Sequence, residues 1–133
     1  MHSDTKSISI EAGPARVVRF LADPRNLPRW AVGFAKSVRE GPDGWLVATG
    51  SGEMGVRITA DERTGTVDFW LSAAPGVEGL AASRVVPNGA GSEYVFTQFQ
   101  AAGMSAEQFQ KSAEAVAHEL KVLKAIIEVE CPL

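Results

Sequence analysis

At 133 residues the chain is long enough for one domain with a substantial hydrophobic core. Its 45% hydrophobic and 22% charged residues match a globular protein, and a net charge of −3 with no run of Lys and Arg argues against nucleic-acid binding. No apolar stretch is long enough to span a bilayer, the polar start Met1-His2-Ser3-Asp4-Thr5-Lys6 lacks a signal peptide's apolar region, and the single Cys131 cannot form an internal disulfide, so a cytoplasmic protein is expected.

Ser7-Ile8-Ser9-Ile10 alternates and predicts a short strand. Gly13-Pro14 then puts proline at the first position of a helix, where its missing N–H costs little. Val17, Phe20 and Leu21 form that helix's inner face, and Asp23-Pro24 ends it, because a residue before proline avoids the helical region. A second short helix or turn is expected over Asn26–Trp30.

From there the period changes to two. Ala35–Glu40 and Trp45–Thr49 are joined by Gly41-Pro42-Asp43-Gly44. After Gly50-Ser51-Gly52, Met54, Val56, Ile58 and Ala60 point one way, and Glu53, Arg57 and Thr59 the other. The turn Asp61–Gly65 leads into Thr66–Ser72, where Val67, Phe69 and Leu71 share a face, and Pro75-Gly76 breaks that strand. Gly79–Val86 and Ser92–Gln100 flank Pro87-Asn88-Gly89-Ala90-Gly91, a hairpin signal. About seven strands joined by tight turns predict an antiparallel meander. In Gly79–Val86 the pattern fits either face. Burying an unpaired arginine is expensive, so Arg84 is placed outward with Leu80, which leaves the small residues Ala81 and Ser83 inside.

The last segment, Ser105–Val129, is a helix of 3.6-residue period. Phe109, Ala113, Val116, Leu120, Leu123 and Ile127 form one apolar stripe. Ser105 and Gln108 make a capping box, and Met104 and Phe109 occupy the positions of a hydrophobic staple. Such a helix closing an antiparallel sheet tends to enclose a space. No repeat, low-complexity tract or linker interrupts residues 1–133, which read as a single domain.

Candidate chemistry is sparse. Gly50-Ser51-Gly52-Glu53-Met54-Gly55 matches G-x-G-x-x-G, but that motif needs a following helix to hold a pyrophosphate, and a strand pattern follows here. His2 lies at the terminus. His118 lies about 180° from the apolar stripe and should face water. Neither histidine has metal-ligand spacing with Cys131, so no metal and no cofactor are expected. Asp43, Glu53, Asp61, Glu62 and Asp68 fall in turns or on the outer face, and no nucleophile elbow occurs. Tyr94 and Gln98 share the period-two face of Phe96; they either orient a ligand from inside or reach solvent at the sheet rim. Trp70 and Leu80, both expected outward, are a candidate homodimer patch.

The run Ile8-Ser9-Ile10-Glu11-Ala12-Gly13-Pro14, Phe20-Leu21-Ala22-Asp23-Pro24 and Leu27-Pro28-Arg29-Trp30 resembles the opening of the START/Bet v 1-like (SRPBCC) superfamily. Its small bacterial members are often labelled polyketide cyclase/dehydrase-like or lipid-transport-like. The hairpin Val85–Val95 and the long last helix resemble the same group. The resemblance implies an α+β helix-grip fold: a curved antiparallel sheet of about seven strands wrapped around the C-terminal helix, with two short helices after the first strand. It also implies a cavity for a small hydrophobic molecule, lined by Trp30, Phe34, Met54, Ile58, Phe69, Leu71, Ser83, Tyr94, Phe96, Gln98, Phe109, Ala113, Val116 and Leu120. Three functions compete: a lipid- or polyketide-like ligand binder without evident catalysis, a cyclase or dehydratase with Tyr94 as proton donor, and a protein-interaction module.

Overall fold

A computed structural model describes all residues, Met1–Leu133. The elements run β1 (Ser3–Ile10), α1 (Pro14–Ala22), a 3-10 turn (Pro24–Asn26), α2 (Leu27–Trp30), β2 (Ser37–Gly41), β3 (Gly44–Thr49), β4 (Gly52–Asp61), β5 (Thr66–Ala74), β6 (Val77–Asn88), β7 (Gly91–Phe99) and α3 (Ala106–Glu130). All seven strands form one antiparallel sheet in the order β1-β7-β6-β5-β4-β3-β2. Strands β2 to β7 are a meander, and β1 pairs with the last of them, Ser3 opposite Phe99 through Ile10 opposite Ser92. Thus β1 and β2 lie on opposite edges of the sheet. The chain crosses between them through α1 and α2, which lie on the same side as α3.

Local chemistry sets the boundaries. Pro14 starts α1 with Gly13 extended before it. Asp23 caps the next turn, its carboxylate accepting from the Arg25 N–H at 3.0 Å. At α3 the capping box is complete: Gln108 N–H donates to Ser105 Oγ at 3.1 Å, and Ser105 N–H donates to Gln108 Oε1 at 2.9 Å. Glycine is required at two turns. Gly65 has φ +77°, and a Cβ there would lie 2.0 Å from the Val85 carbonyl oxygen. Gly89 has φ +59° in the two-residue turn between β6 and β7.

Twenty-one buried residues form one core. It joins α1 (Val17, Val18, Phe20, Leu21), α2 (Leu27, Trp30), the inward rows of the sheet (Val47, Val56, Val67, Phe69, Val85, Tyr94, Phe96) and the α3 stripe (Val116, Leu120, Leu123, Ile127). Burying a side chain of this size contributes about 1.5–3 kcal/mol.

Several expectations need correction. β1 begins at Ser3 rather than Ser7, because its polar first half still pairs along β7. β2 begins at Ser37 rather than Ala35, which is buried in the preceding loop. Ala60, assigned to the inner row of β4, is exposed near the strand's end. Trp70 and Leu80 are register partners on the outer face, as expected, but both are half-buried. The Arg57 guanidinium lies 5.0 Å from the Trp70 ring centre, and the indole N–H donates to Thr59 Oγ1 at 3.4 Å. The tryptophan is therefore already covered by its own sheet. The chosen register of β6 holds: Ser83 and Val85 are buried and Arg84 is exposed.

Candidate functional site

Of the residues expected to line a cavity, Trp30, Phe69, Ser83, Tyr94, Phe96, Ala113, Val116 and Leu120 are buried. Phe34, Met54, Ile58, Leu71, Gln98 and Phe109 are half-buried. The sheet and α2 bring four rings into a line. Trp30 stands 6.1 Å from Phe69, Phe69 6.3 Å from Phe96, and Phe96 6.3 Å from Tyr94, all tilted. Alternation on β7 sets Gln98 on the same side, next after Phe96. Phe109, by contrast, lies outside this line, in a groove shared with His2, Ser3 and Asp4.

The polar atoms in this region separate into two kinds. Ser83 Oγ donates to the Val67 carbonyl at 2.6 Å, and Ser92 Oγ to the Ala12 carbonyl at 2.7 Å. Trp30 Nε1, Tyr94 Oη and Gln98 Nε2 are also buried, and they meet no hydrogen-bond partner in the protein. Tyr94 is wholly buried, so its hydroxyl does not reach solvent at the rim. Burial pushes the Tyr94 phenol well above its usual range, against a smaller opposing pull from the Ser83 hydroxyl. Tyr94 therefore stays neutral and is a weak acid, which counts against it as the proton donor of a cyclase.

A second interior group escaped the sequence reading. Glu119 on α3 is 5% exposed and is the one buried charged residue of the protein. Its Oε2 accepts from the Gly33 N–H at 3.0 Å, which ties the loop after α2 to the helix. No cation pairs with it. Burial pushes its carboxyl up to about 7, against the opposing pull of the Gly33 and Phe34 N–H groups. The signal was visible in the helical spacing. Val122 and Ile126 follow Glu119 by three and seven residues, and both pack on the core. They extend the apolar stripe to a second row, with Glu119 inside it.

Other candidates resolve simply. Gly50–Gly55 is a turn entering β4, with Gly52 at φ +113°, and no helix follows it. His118 is exposed as its spacing predicts. No three His, Cys, Asp or Glu side chains cluster as metal ligands. No helix is long and apolar enough to cross a membrane.

The sequence matches a family model described as polyketide cyclase/dehydrase and lipid transport over residues 1–125. No curated protein matches it. Among solved structures, the protein XoxI from Bacillus cereus is similar over 98% of this chain and 99% of its own, at 18% identity and a TM-score of 0.74. A START superfamily protein from Mycobacterium smegmatis covers 96% and 98%, at 14% identity and a TM-score of 0.69. The di-domain ARO/CYC BexL of the BE-7585A biosynthetic pathway aligns with 96% of this chain over 47% of its own length, at 17% identity and a TM-score of 0.73. At these identities the likeness establishes the helix-grip fold.

Proposed function

The chain belongs to the polyketide cyclase/dehydrase and lipid transport family, and on that premise we propose that it binds a small, mostly apolar molecule bearing oxygen, between the sheet and α3. One observation carries the reading: Trp30 Nε1, Tyr94 Oη and Gln98 Nε2 are buried N–H or O–H donors without an acceptor. Each buried unpaired polar group costs about 1–3 kcal/mol, and native proteins keep few of them. Three along one aromatic wall support a ligand whose carbonyl, hydroxyl or carboxyl oxygens take these protons. Its carbon skeleton stacks on Phe69 and Phe96, and each buried methylene contributes about 0.8 kcal/mol.

The four rings touch, so a ligand enters by moving them apart. Trp30 sits at the end of α2, just before the loop that Glu119 ties to α3. Opening the interior from this side breaks the Glu119–Gly33 bond. Titrating fatty acids and aromatic polyketides while following tryptophan fluorescence and melting temperature tests the reading. Oxygenated ring or chain molecules should shift both, and Tyr94→Phe with Gln98→Leu should weaken them more than a hydrocarbon of equal size. If no apolar molecule moves either signal, the binding reading falls.

Glu119 favours a second reading, a cyclase or dehydratase. A buried carboxyl held near 7 can both give and take a proton at neutral pH. Loss of water from a polyketide substrate in the wild type but not in Glu119→Gln, with ligand binding retained, would select it; ligand recovered unchanged would reject it.

A further inference from the structure

Two grooves run along one seam of the molecule, between β1 and α3. One of about 370 Å³ is lined by Lys6, Ser7, Ile8, Ala117, Leu120 and Lys121. The other, of about 270 Å³, includes His2, Ser3, Asp4, Phe109, Gln110 and Ala113. The seam follows an open sheet edge, since β1 is the first strand in the sheet order.

The backbone of that edge is partly bare. Gln100 N–H donates to the His2 carbonyl at 2.9 Å. Hydrogen-bonded pairs alternate along an antiparallel ladder, so the even residues of β1 bond to β7, and the odd ones point their N–H and C=O groups outward. Near Ile10 the helix satisfies them. Lys124 Nζ donates to the Ser9 carbonyl at 2.8 Å, and Glu11 N–H donates to Glu128 at 2.7 Å. Ser3, Thr5 and Ser7 have no such cover.

We infer that a second copy of this chain adds its own β1 antiparallel to this edge, with the twofold axis at Thr5. Charge selects both the occupant and the register. Asp4 and Lys6 lie two apart on the inner face of β1 and pair with each other at 2.7 Å. With Thr5 opposite Thr5, Asp4 falls opposite Lys6 of the partner copy, and Lys6 opposite its Asp4. Both are non-hydrogen-bonded pairs, where side chains approach most closely. A slip by two residues puts Lys6 against Lys6 or Asp4 against Asp4. Lys121, in no ion pair of its own, lines the same groove as Lys6 and adds a second cation for the incoming Asp4. In the other groove, Phe109 and Ala113 offer an apolar floor to the incoming Ile8. A lone inward lysine normally blunts an edge strand. Here Asp4 neutralises it and makes the edge self-complementary, the requirement of an isologous interface.

Sedimentation of the wild type from micromolar to millimolar concentration tests this, with circular dichroism confirming that each variant is folded. The wild type should show a reversible monomer–dimer equilibrium. Lys6→Asp should weaken it about tenfold or more by placing like charges opposite each other. Combining Asp4→Lys with Lys6→Asp should restore it. Thr5→Pro, which removes an outward N–H and no backbone bond to β7, should abolish it, whereas Thr5→Val, which removes only the hydroxyl bond to Thr97, should not. Trp70→Glu, on the distant outer face, should leave it unchanged. A wild type that stays monomeric throughout, or a dimer indifferent to Lys6→Asp, overturns the proposal.

Discussion

Ser92 and Tyr94 sit two residues apart on β7 and face the same interior, yet their hydroxyls fare differently. Ser92 lies where the strand meets the loop before α1, and its proton goes to the Ala12 carbonyl at 2.7 Å. Tyr94, further along, is equally buried and has no partner. The surroundings differ in the same sense. Around Ser92 the core is aliphatic and closed, with Ile10, Val17, Leu21, Leu123 and Ile127 all within 1% of full burial. Beside Tyr94 the wall is aromatic, with Phe96 next to it and then Phe69 and Trp30, and two more orphaned donors, Gln98 Nε2 and Trp30 Nε1, belong to the same region. One end of the interior is complete as it stands; the other has polar groups that the protein itself does not satisfy. The binding proposal rests on that contrast rather than on any groove on the surface.

The largest expected effect tests whether the α3 stripe closes both ends alike. Leu120 is 2% exposed at its centre, and Leu120→Ala should cost about 2–5 kcal/mol in denaturant melts. A much smaller loss would mean the helix is loosely seated and the two ends are not distinct.

Next comes Glu119. Its carboxyl sits near 7 in the folded protein, above the 4.5 of an ordinary glutamate. The folded state therefore holds its proton more tightly than the unfolded chain does. Stability from this group is complete below 4.5 and is lost as pH rises through 7, by about 1–3 kcal/mol. Glu119→Gln keeps an oxygen for the Gly33 N–H and should flatten that slope, leaving the variant more stable above neutrality. Melting curves across this range check it; a variant with the wild-type slope would remove Glu119 as the titrating tie.

The two hydroxyls give the direct comparison. Ser92→Ala strands the Ala12 carbonyl and should cost about 1–2 kcal/mol. Tyr94→Phe deletes an orphan and should cost nothing, or stabilise the ligand-free protein by up to about 1 kcal/mol. Equal losses would erase the distinction between the ends. The smallest effect belongs to His118→Ala, within about 0.5 kcal/mol, since the residue is exposed. A larger change would put the helix register in error.

Much of the architecture was legible in the chain. Period-two alternation, the Gly- and Pro-rich turns and the period of α3 determined the order and type of every element, because each is a local pattern imposed by backbone geometry. The capping box fixed the start of α3, and the high cost of burying Arg84 fixed the inward face of β6. The inward rows of β5 and β7 followed from the same alternation, as did that of β4 except at Ala60. Tertiary structure decided the rest. Whether a buried hydroxyl finds an acceptor depends on which backbone carbonyl the fold brings opposite it, and no local pattern separates Ser92 from Tyr94. Glu119 became a buried, titrating tie only when the loop after α2 folded over the flank of α3. Trp70 was shielded by Arg57 once β4 and β5 had paired in register. Likewise, β1 became an open edge, with the outward backbone groups of Ser3, Thr5 and Ser7 bare, because only β7 pairs with it. In each of these cases the deciding partner lies far away in sequence, and only the closed sheet brings it within hydrogen-bonding or stacking distance.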